Sequence, residues 1–411
     1  MNRIQHWLVM AILCLSGGII FMLPFLREVY YIPMQQAFGY DNTQMGVLMS
    51  VFGTTSLITY FPGGWLADRF SPRTLIVSSL LATGVGGFYF SSFPSYQMNI
   101  AIHAYWGVTI SLVFWGAMIK ATRNWATEGE QGKAFGILES GRGITELVSS
   151  TVLLAVFAWL GSEREALADV IKLFSLANLL LAVLAWFVLT NNHRDKADEK
   201  VDSIGLAEII TVLKMPAIWL ISLIVLTAYS AYWGSYYFAP YATDVYALSV
   251  VLGGAVAVGK MWLKPFAPVA AGFIADRIGV AKTVFFTFII MTTGFLAFGF
   301  MPSGDAYLVL MLVNVGIVST AIFALRGIYF ALLAEGGVPI AVTGTATGII
   351  SAIGFTPDVF MPLIGGVLLD AYPGAQGYRY FYLAIAGLCT LGTVAAYIIL
   401  RRAPERGKIG N

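Results

Sequence analysis

The chain has 411 residues, 58% of them hydrophobic and only 11% charged, with a formal net charge of +2 and a mean hydropathy of +0.78. A water-soluble domain carries about 25% charged residues, so this composition excludes a soluble globular protein and reads as a polytopic membrane protein. No basic tract is long enough to argue for nucleic acid.

Runs apolar enough to cross a hydrocarbon core about 30 Å thick fall at residues 7–38, 44–67, 73–93, 98–122, 134–160, 167–190, 216–241, 247–275, 281–301, 305–334, 341–370 and 377–400. The expected fold is therefore an all-α membrane protein of twelve transmembrane helices. The first run is too long for the apolar region of a signal peptide and lacks a small-residue cleavage site, so it counts as a membrane helix. The longest polar stretch, 191–214, contains HRDKADEK. It reads as a linker between an N-terminal six-helix bundle (1–190) and a C-terminal one (215–411). Residues 203–213 within it have the pattern of a short amphipathic surface helix.

Lysine and arginine concentrate in the loops on the side of the N-terminus and in the tail, which carries Arg401, Arg402, Arg406 and Lys408. The other side has only Arg164, Lys172 and Arg379. The positive-inside rule places both termini in the cytoplasm. Cys14 and Cys389 lie in apolar runs near opposite ends and read as small core residues, with no support for a disulfide or a zinc site.

The first run carries the stretch MLPFLREVYYIP (22–33), with Arg27 and Glu28 adjacent where a lipid-facing helix carries no charge. A charge near the bilayer centre costs at least about 2.5–3.5 kcal/mol, so such residues face protein or a wet cavity and default to a functional reading. Neighbours on a helix point about 100° apart, so one of the two is expected to line a site and the other to meet a neighbouring helix. Pro24 and Pro33 bracket the pair and are expected to kink the segment.

Further charges lie in later runs. Arg142 stands between Glu139 and Glu146, one helix face of alternating sign. It reads either as a self-neutralised ladder or as an anion-binding arginine with a proton-sensitive partner, since the guanidinium fork grips carboxylate or phosphate bidentately. Lys260 and Lys264 share a helix face. Lys260 falls near the midplane and is the better binding candidate, while Lys264 lies where it could snorkel. Arg326 sits in the inner third of its helix, suited to substrate or to a gate. Asp358, between Pro357 and Pro362, suits proton coupling or the neutralising of Lys260 or Arg326. Tyr232, Trp233 and Tyr236 are candidate cavity aromatics, weighed against ordinary packing.

An internal repeat supports two halves. GGWLADRFSPR (63–73) follows the second run and AGFIADRIGVAK (271–282) follows the eighth. Gly64, Asp68 and Arg69 match Gly272, Asp276 and Arg277 at a constant offset of 208. Twelve helices, a central loop and this paired G-x-x-x-D-R motif resemble the major facilitator superfamily over essentially the whole chain. The resemblance implies two six-helix halves rocking about a central site. It also implies a gating role for Asp68, Arg69, Arg73, Asp276 and Arg277. The first copy has Phe70, Ser71, Pro72 and Arg73 where the family usually has x-Gly-Arg-[RK], and Arg73 keeps the terminal cation.

Within the superfamily, the first half is most similar to the organophosphate/phosphate antiporters and related anion symporters. Arg27 matches their first-helix arginine, and Arg142 falls where a binding-site histidine stands. Their second substrate arginine, on helix 7, has no counterpart, because AYSAYWGSYYFAP (228–240) holds aromatics there.

The expected function is secondary active transport of a small organic anion across the cytoplasmic membrane, by proton symport or by antiport. Arg27, Arg142, Lys260, Arg326, Tyr232, Trp233 and Tyr236 are the substrate candidates. Glu28, Glu139, Glu146 and Asp358 are the proton-coupling candidates. The protein is expected to act as a monomer without a cofactor. The alternative is a proton-coupled exporter of hydrophobic or cationic compounds, using the carboxylates and aromatics. A non-transporting sensor that kept the fold is a further reading. Enzyme activity is not expected, since the sequence has no phosphate-binding loop, metal-ligand cluster or nucleophile motif, and His6, His103 and His193 are scattered.

Overall fold

Four of the helix breaks lie just ahead of a proline. Its ring clashes with the carbonyl four residues earlier and it donates no hydrogen bond, so a helix running into it tends to stop there. Counting four back from Pro24, Pro240, Pro265 and Pro357 gives Ile20, Tyr236, Met261 and Ile353. Each of these is the last helical residue of a segment or lies within one residue of it.

The structure is a computed structural model that describes residues 3–125, 131–189, 206–339 and 342–402. The first crossing is α1 (Arg3–Ile19), a run of turns over 20–26, and α2 (Arg27–Phe38). Tyr30 departs from helical dihedrals, with φ −112° and ψ 35°, one turn before Pro33. Crossings two and three are α3 (Asn42–Arg69) and α4 (Pro72–Phe90). Asp41 caps α3 in a reciprocal box with Gln44, and Ser71 caps α4 with Pro72 in its first turn. The fourth crossing is α5 (Tyr96–Gly107), a π-helical stretch Val108–Trp115, and α6 (Gly116–Trp125); crossings five and six are α7 (Gln131–Trp159) and α8 (Arg164–Val188).

After the short helix α9 (Leu206–Leu213), the seventh crossing is α10 (Pro216–Ser235) and α11 (Phe238–Tyr246). The eighth is α12 (Val250–Met261) and α13 (Ala267–Ile278), and the ninth is α14 (Val280–Phe300). The tenth is α15 (Leu308–Ile328), a 3-10 turn and α16 (Leu332–Glu335). The eleventh is α17 (Thr343–Gly354) and α18 (Pro357–Ala371), and the twelfth is α19 (Ala375–Arg402). Among the described residues, nine helical segments are each long and apolar enough to cross a membrane. The first and eighth crossings reach full length only by joining two shorter helices, and α3 supplies the second. The helix expected over 203–213 is present as α9 from residue 206, and residues 191–205 of the expected linker lie outside the described residues.

Arg3 and Arg402 lie on one face, called here the terminal face, because the crossings are even in number. The two halves meet away from it. Segments α3 and α18 pack together, α12 packs on α2 and α7, and α11 packs on α2. Glycines permit the closest approach: a Cβ on Gly53 would stand 2.5 Å from the Asp358 carbonyl oxygen, and Gly46 is equally tight against the Pro362 carbonyl. The terminal-side pieces pack chiefly within their own half, α13 on α14 and α15, and α17 on α9 and α10. The halves are thus closed on the far face, and the space between them opens toward the terminal face.

Candidate functional site

Irregular backbone at membrane depth is tolerated only where protein or water covers it. The four breaks meet between the halves, and the charged residues sit at or beside them. Arg27 and Glu28 follow the first break, Lys260 and Lys264 flank the eighth-crossing break, and Asp358 opens α18. The aromatics Tyr232, Trp233, Tyr236 and Tyr237 span the break in the seventh crossing.

Three of these charges, Arg27, Glu28 and Lys260, are sealed in the closed far layer. Arg27 is 1% exposed. Its Nη1 donates to the Met45 carbonyl at 3.0 Å, and its guanidinium lies 4.7 Å from the Tyr31 ring centroid and 5.0 Å from that of Tyr237. Among the described residues its Nε and Nη2 have no hydrogen-bond partner. Glu28 pairs with Lys260 at 3.0 Å, both side chains essentially dry at 4% and 0% exposure. Lys260 also donates to the Ser235 carbonyl and hydroxyl at 2.7 and 2.8 Å. Neither Arg27 nor Glu28 opens onto the cavity in this conformation. The helical angle between them sends Arg27 toward α3 and α11 and Glu28 toward α12.

A second layer, nearer the terminal face, is partly wet. Lys264 pairs with Glu146 across the two halves at 2.7 Å, with side chains 18% and 26% exposed. Glu146 therefore takes its partner from α12–α13 and not from Arg142 on its own helix. Arg142 instead pairs with Glu139 at 2.6 Å and donates from Nε to the Gly17 carbonyl at 3.2 Å. Its guanidinium is backed by Trp115 at 5.1 Å and Phe21 at 5.6 Å. From the other half, Arg326 stacks on Tyr232 at 4.0 Å and lies 5.6 Å from Tyr229. Among the described residues it has no ion-pair partner. Arg142, Lys264 and Arg326 all act electrostatically on Glu146. Of the two lysines, Lys264 and not Lys260 reaches the wet layer.

Asp358 is held by the expected aromatic Trp233 and by Tyr229. Trp233 Nε1 donates to Oδ1 at 2.8 Å and the Tyr229 hydroxyl to Oδ2 at 3.3 Å. Trp233 stacks on Tyr236 at 4.7 Å, and the Tyr236 hydroxyl donates to that of Tyr232 at 3.2 Å. The carboxylate fixes the wall of the seventh crossing against the eleventh. Its own interaction with Arg326 is through space.

The repeated loops lie apart from this site. Arg69 covers Trp65 at 4.2 Å and Arg73 covers Trp186 at 3.9 Å. Asp276 and Arg277 are exposed, and the Asp68 side chain lies outside the described residues. The second loop is tied to its own half by Glu335, whose carboxylate accepts from the amides of Val280 and Ala281 at 2.8 and 2.7 Å.

Sequence reasoning passed over Asp370, which ends α18. Its carboxylate accepts from the Asn42 and Thr43 amides at 3.1 and 2.6 Å and from both side chains at 2.8 and 2.5 Å. It also passed over Phe21 and Phe25, which are apolar residues in an apolar run and carry no distinguishing signal.

The sequence profile of the Major Facilitator Superfamily matches residues 7–355. The chain belongs to the Major Facilitator Superfamily. It is 31% identical to Inner membrane protein YihN of Escherichia coli (strain K12), over 98% of this chain and 97% of that protein. It is 30% identical to Inner membrane protein YqcE of the same organism, over 97% and 95%. A shorter match, 28% identical over 43% of this chain and 38% of the relative, is to the probable galactarate/D-glucarate transporter GudP of Bacillus subtilis (strain 168). Among solved structures, a bacterial homologue of the human lysosomal transporter Spinster, inward-facing and unoccupied, superposes with a TM-score of 0.79. That match has 13% identity and covers 99% of this chain and 100% of that one. As a Major Facilitator Superfamily member, the chain is a multi-pass membrane transporter of a small molecule, and the central space between its halves is where the family fold puts the substrate.

Proposed function

We propose that this protein is a secondary active transporter of a small organic anion, working as a monomer in the cytoplasmic membrane with both termini cytoplasmic. The observation that carries the reading is the set of three cations, Arg142, Lys264 and Arg326, drawn from both halves around Glu146. Arg326 has an aromatic behind it and no carboxylate paired to it among the described residues. A cation so placed at membrane depth is costly unless an anion comes to it. The lysine and arginine bias supports the orientation, and the open side of the cavity then faces the cytoplasm. The sugar diacids in the name of the Bacillus subtilis relative support an organic anion.

Proton coupling follows from the Lys264–Glu146 pair. While Glu146 is ionised it occupies Lys264. Protonation releases Lys264 to join Arg326 and the free edge of Arg142 at the anion, so proton and anion are taken up together and the direction is uptake by symport. An anion bridging the halves then favours the rocking that closes the terminal face and opens the far one, as alternating access requires.

The test is a thermal-shift panel of sugar phosphates, mono- and dicarboxylates, sugar acids, neutral sugars and lipophilic cations on the detergent-purified protein, with Arg326→Gln beside wild type. A ligand at 100-fold its Kd stabilises by about 2.7 kcal/mol. Stabilisation by one class of anion, lost in Arg326→Gln, is the expected result. Stabilisation by lipophilic cations alone, retained in the variant, overturns the reading.

A further inference from the structure

Two guanidinium groups face the wet layer from opposite halves, and each has an aromatic ring behind it. Arg142 rests against Trp115 and Phe21, and Arg326 against Tyr232 and Tyr229. Between them runs a continuous wall of rings. Trp115 meets Phe21 at 6.2 Å between centroids, Phe21 meets Phe25 at 6.3 Å, Phe25 meets Tyr236 at 5.9 Å, and Tyr236 meets Tyr232 at 5.2 Å. Lys264 and Glu146 cross from one half to the other over the same space.

Each guanidinium keeps donors to spare. Arg142 uses Nε on the Gly17 carbonyl and Nη1 on Glu139, a carboxylate that is itself 62% exposed; Nη2 has no protein partner among the described residues. Arg326 interacts with the Tyr329 hydroxyl and feels Asp358 through space, but the Asp358 oxygens are taken by Trp233 and Tyr229. A guanidinium stacked on a ring leaves its edge free for a planar, bidentate grip on an oxyanion.

Resting on the anion-transporter reading above, we propose that the substrate is a dianion with one anionic group at each end of a short chain. One end is held by Arg142 and the other by Arg326, and the C–H faces between lie along the aromatic wall. Each half thus offers its own guanidinium edge, and an anion with a charged group at each end can occupy both edges at once. A two-ended anion is also the ligand that ties the halves together, because each end belongs to a different half.

The experiment is equilibrium binding to the detergent-purified full chain, using acids matched in length. Adipate is compared with hexanoate, and galactarate with galactonate. A hexose 6-phosphate supplies two charges at one end. The expected result is at least tenfold tighter binding of the two-ended acid than of its one-ended partner, with the sugar phosphate resembling the one-ended acid. Arg142→Gln and Arg326→Gln should each erase the difference by weakening the two-ended acid, and Arg→Lys at either position should restore part of it.

Equal binding of one- and two-ended acids by wild type, with both lost in Arg326→Gln, overturns the dianion and leaves the anion reading standing. Sugar phosphate binding as tight as the two-ended acid also overturns it. Absence of binding by every anion in the series overturns both. The wild-type ratios decide even where a variant fails to fold.

Discussion

Lys264 and Glu146 meet at 2.7 Å although they belong to different halves of the chain, and both are part-exposed to the space between those halves. The pair couples the charge of one carboxylate to the contact between the halves. Breaking a buried pair costs about 3–5 kcal/mol, and the solvent reaching this one lowers the expectation to about 1–3 kcal/mol. Lys264→Ala and Glu146→Ala should each destabilise the detergent-solubilised protein by that amount. The exchange Lys264→Glu with Glu146→Lys should recover most of the loss. Thermal unfolding of the four proteins checks this, and a double exchange no better than the worse single variant removes the pair as a contact between halves.

Glu146 and Asp358 are both carboxylates beside cations, and their surroundings separate their roles. Asp358 has both oxygens engaged by Trp233 and Tyr229, so it positions the aromatic wall. Glu146→Gln should still bind anion but lose acceleration of uptake by an inward proton gradient. Asp358→Asn should keep that acceleration and bind anion more weakly. Proteoliposome uptake with and without the gradient distinguishes them, and gradient-driven uptake intact in Glu146→Gln would show that the proton travels elsewhere.

The far face closes on glycine. A side chain at Gly46 would collide with the Pro362 carbonyl. Overpacking costs about 1–3 kcal/mol, which in a two-state equilibrium is a shift of roughly 5–150-fold. Gly46→Val should therefore populate a form open on the far face. Spin labels at Gln36→Cys and Tyr372→Cys would report it as a longer distance. Cys14 and Cys389, both buried, would first be replaced by serine. A distance distribution identical to that without Gly46→Val would count against this closure.

Asp370 completes the cap of a helix in the other half. The first amides of α3 lack partners within the helix. Asp41 takes that of Gln44, and Asp370 takes those of Asn42 and Thr43. Losing such an exposed cap costs about 1 kcal/mol. Asp370→Ala should speed hydrogen exchange of the first turn of α3 while leaving the middle of α7 unchanged. Unaltered exchange at Asn42 and Thr43 would mean that water replaces the carboxylate at no cost.

The number of crossings, the kink in the first of them, the repeat and the inventory of charges were legible in the residues alone. Those features are local: hydropathy over a 20-residue window, proline sterics over four residues, and the identity of each side chain. Which charges pair is set by how the helices pack. Glu146 has Arg142 four residues away, yet pairs with Lys264 at a separation of 118. Arg27 looked like a cavity residue and is sealed between Tyr31 and Tyr237. Lys260 looked better placed than Lys264 and is the drier of the two. The reason is that in a low-dielectric interior a charge takes the partner that packing brings within reach, and packing between halves is set by glycines and kinks far apart in the chain. The same holds for the aromatic wall, whose phenylalanines are indistinguishable from lipid-facing ones until the helices are assembled.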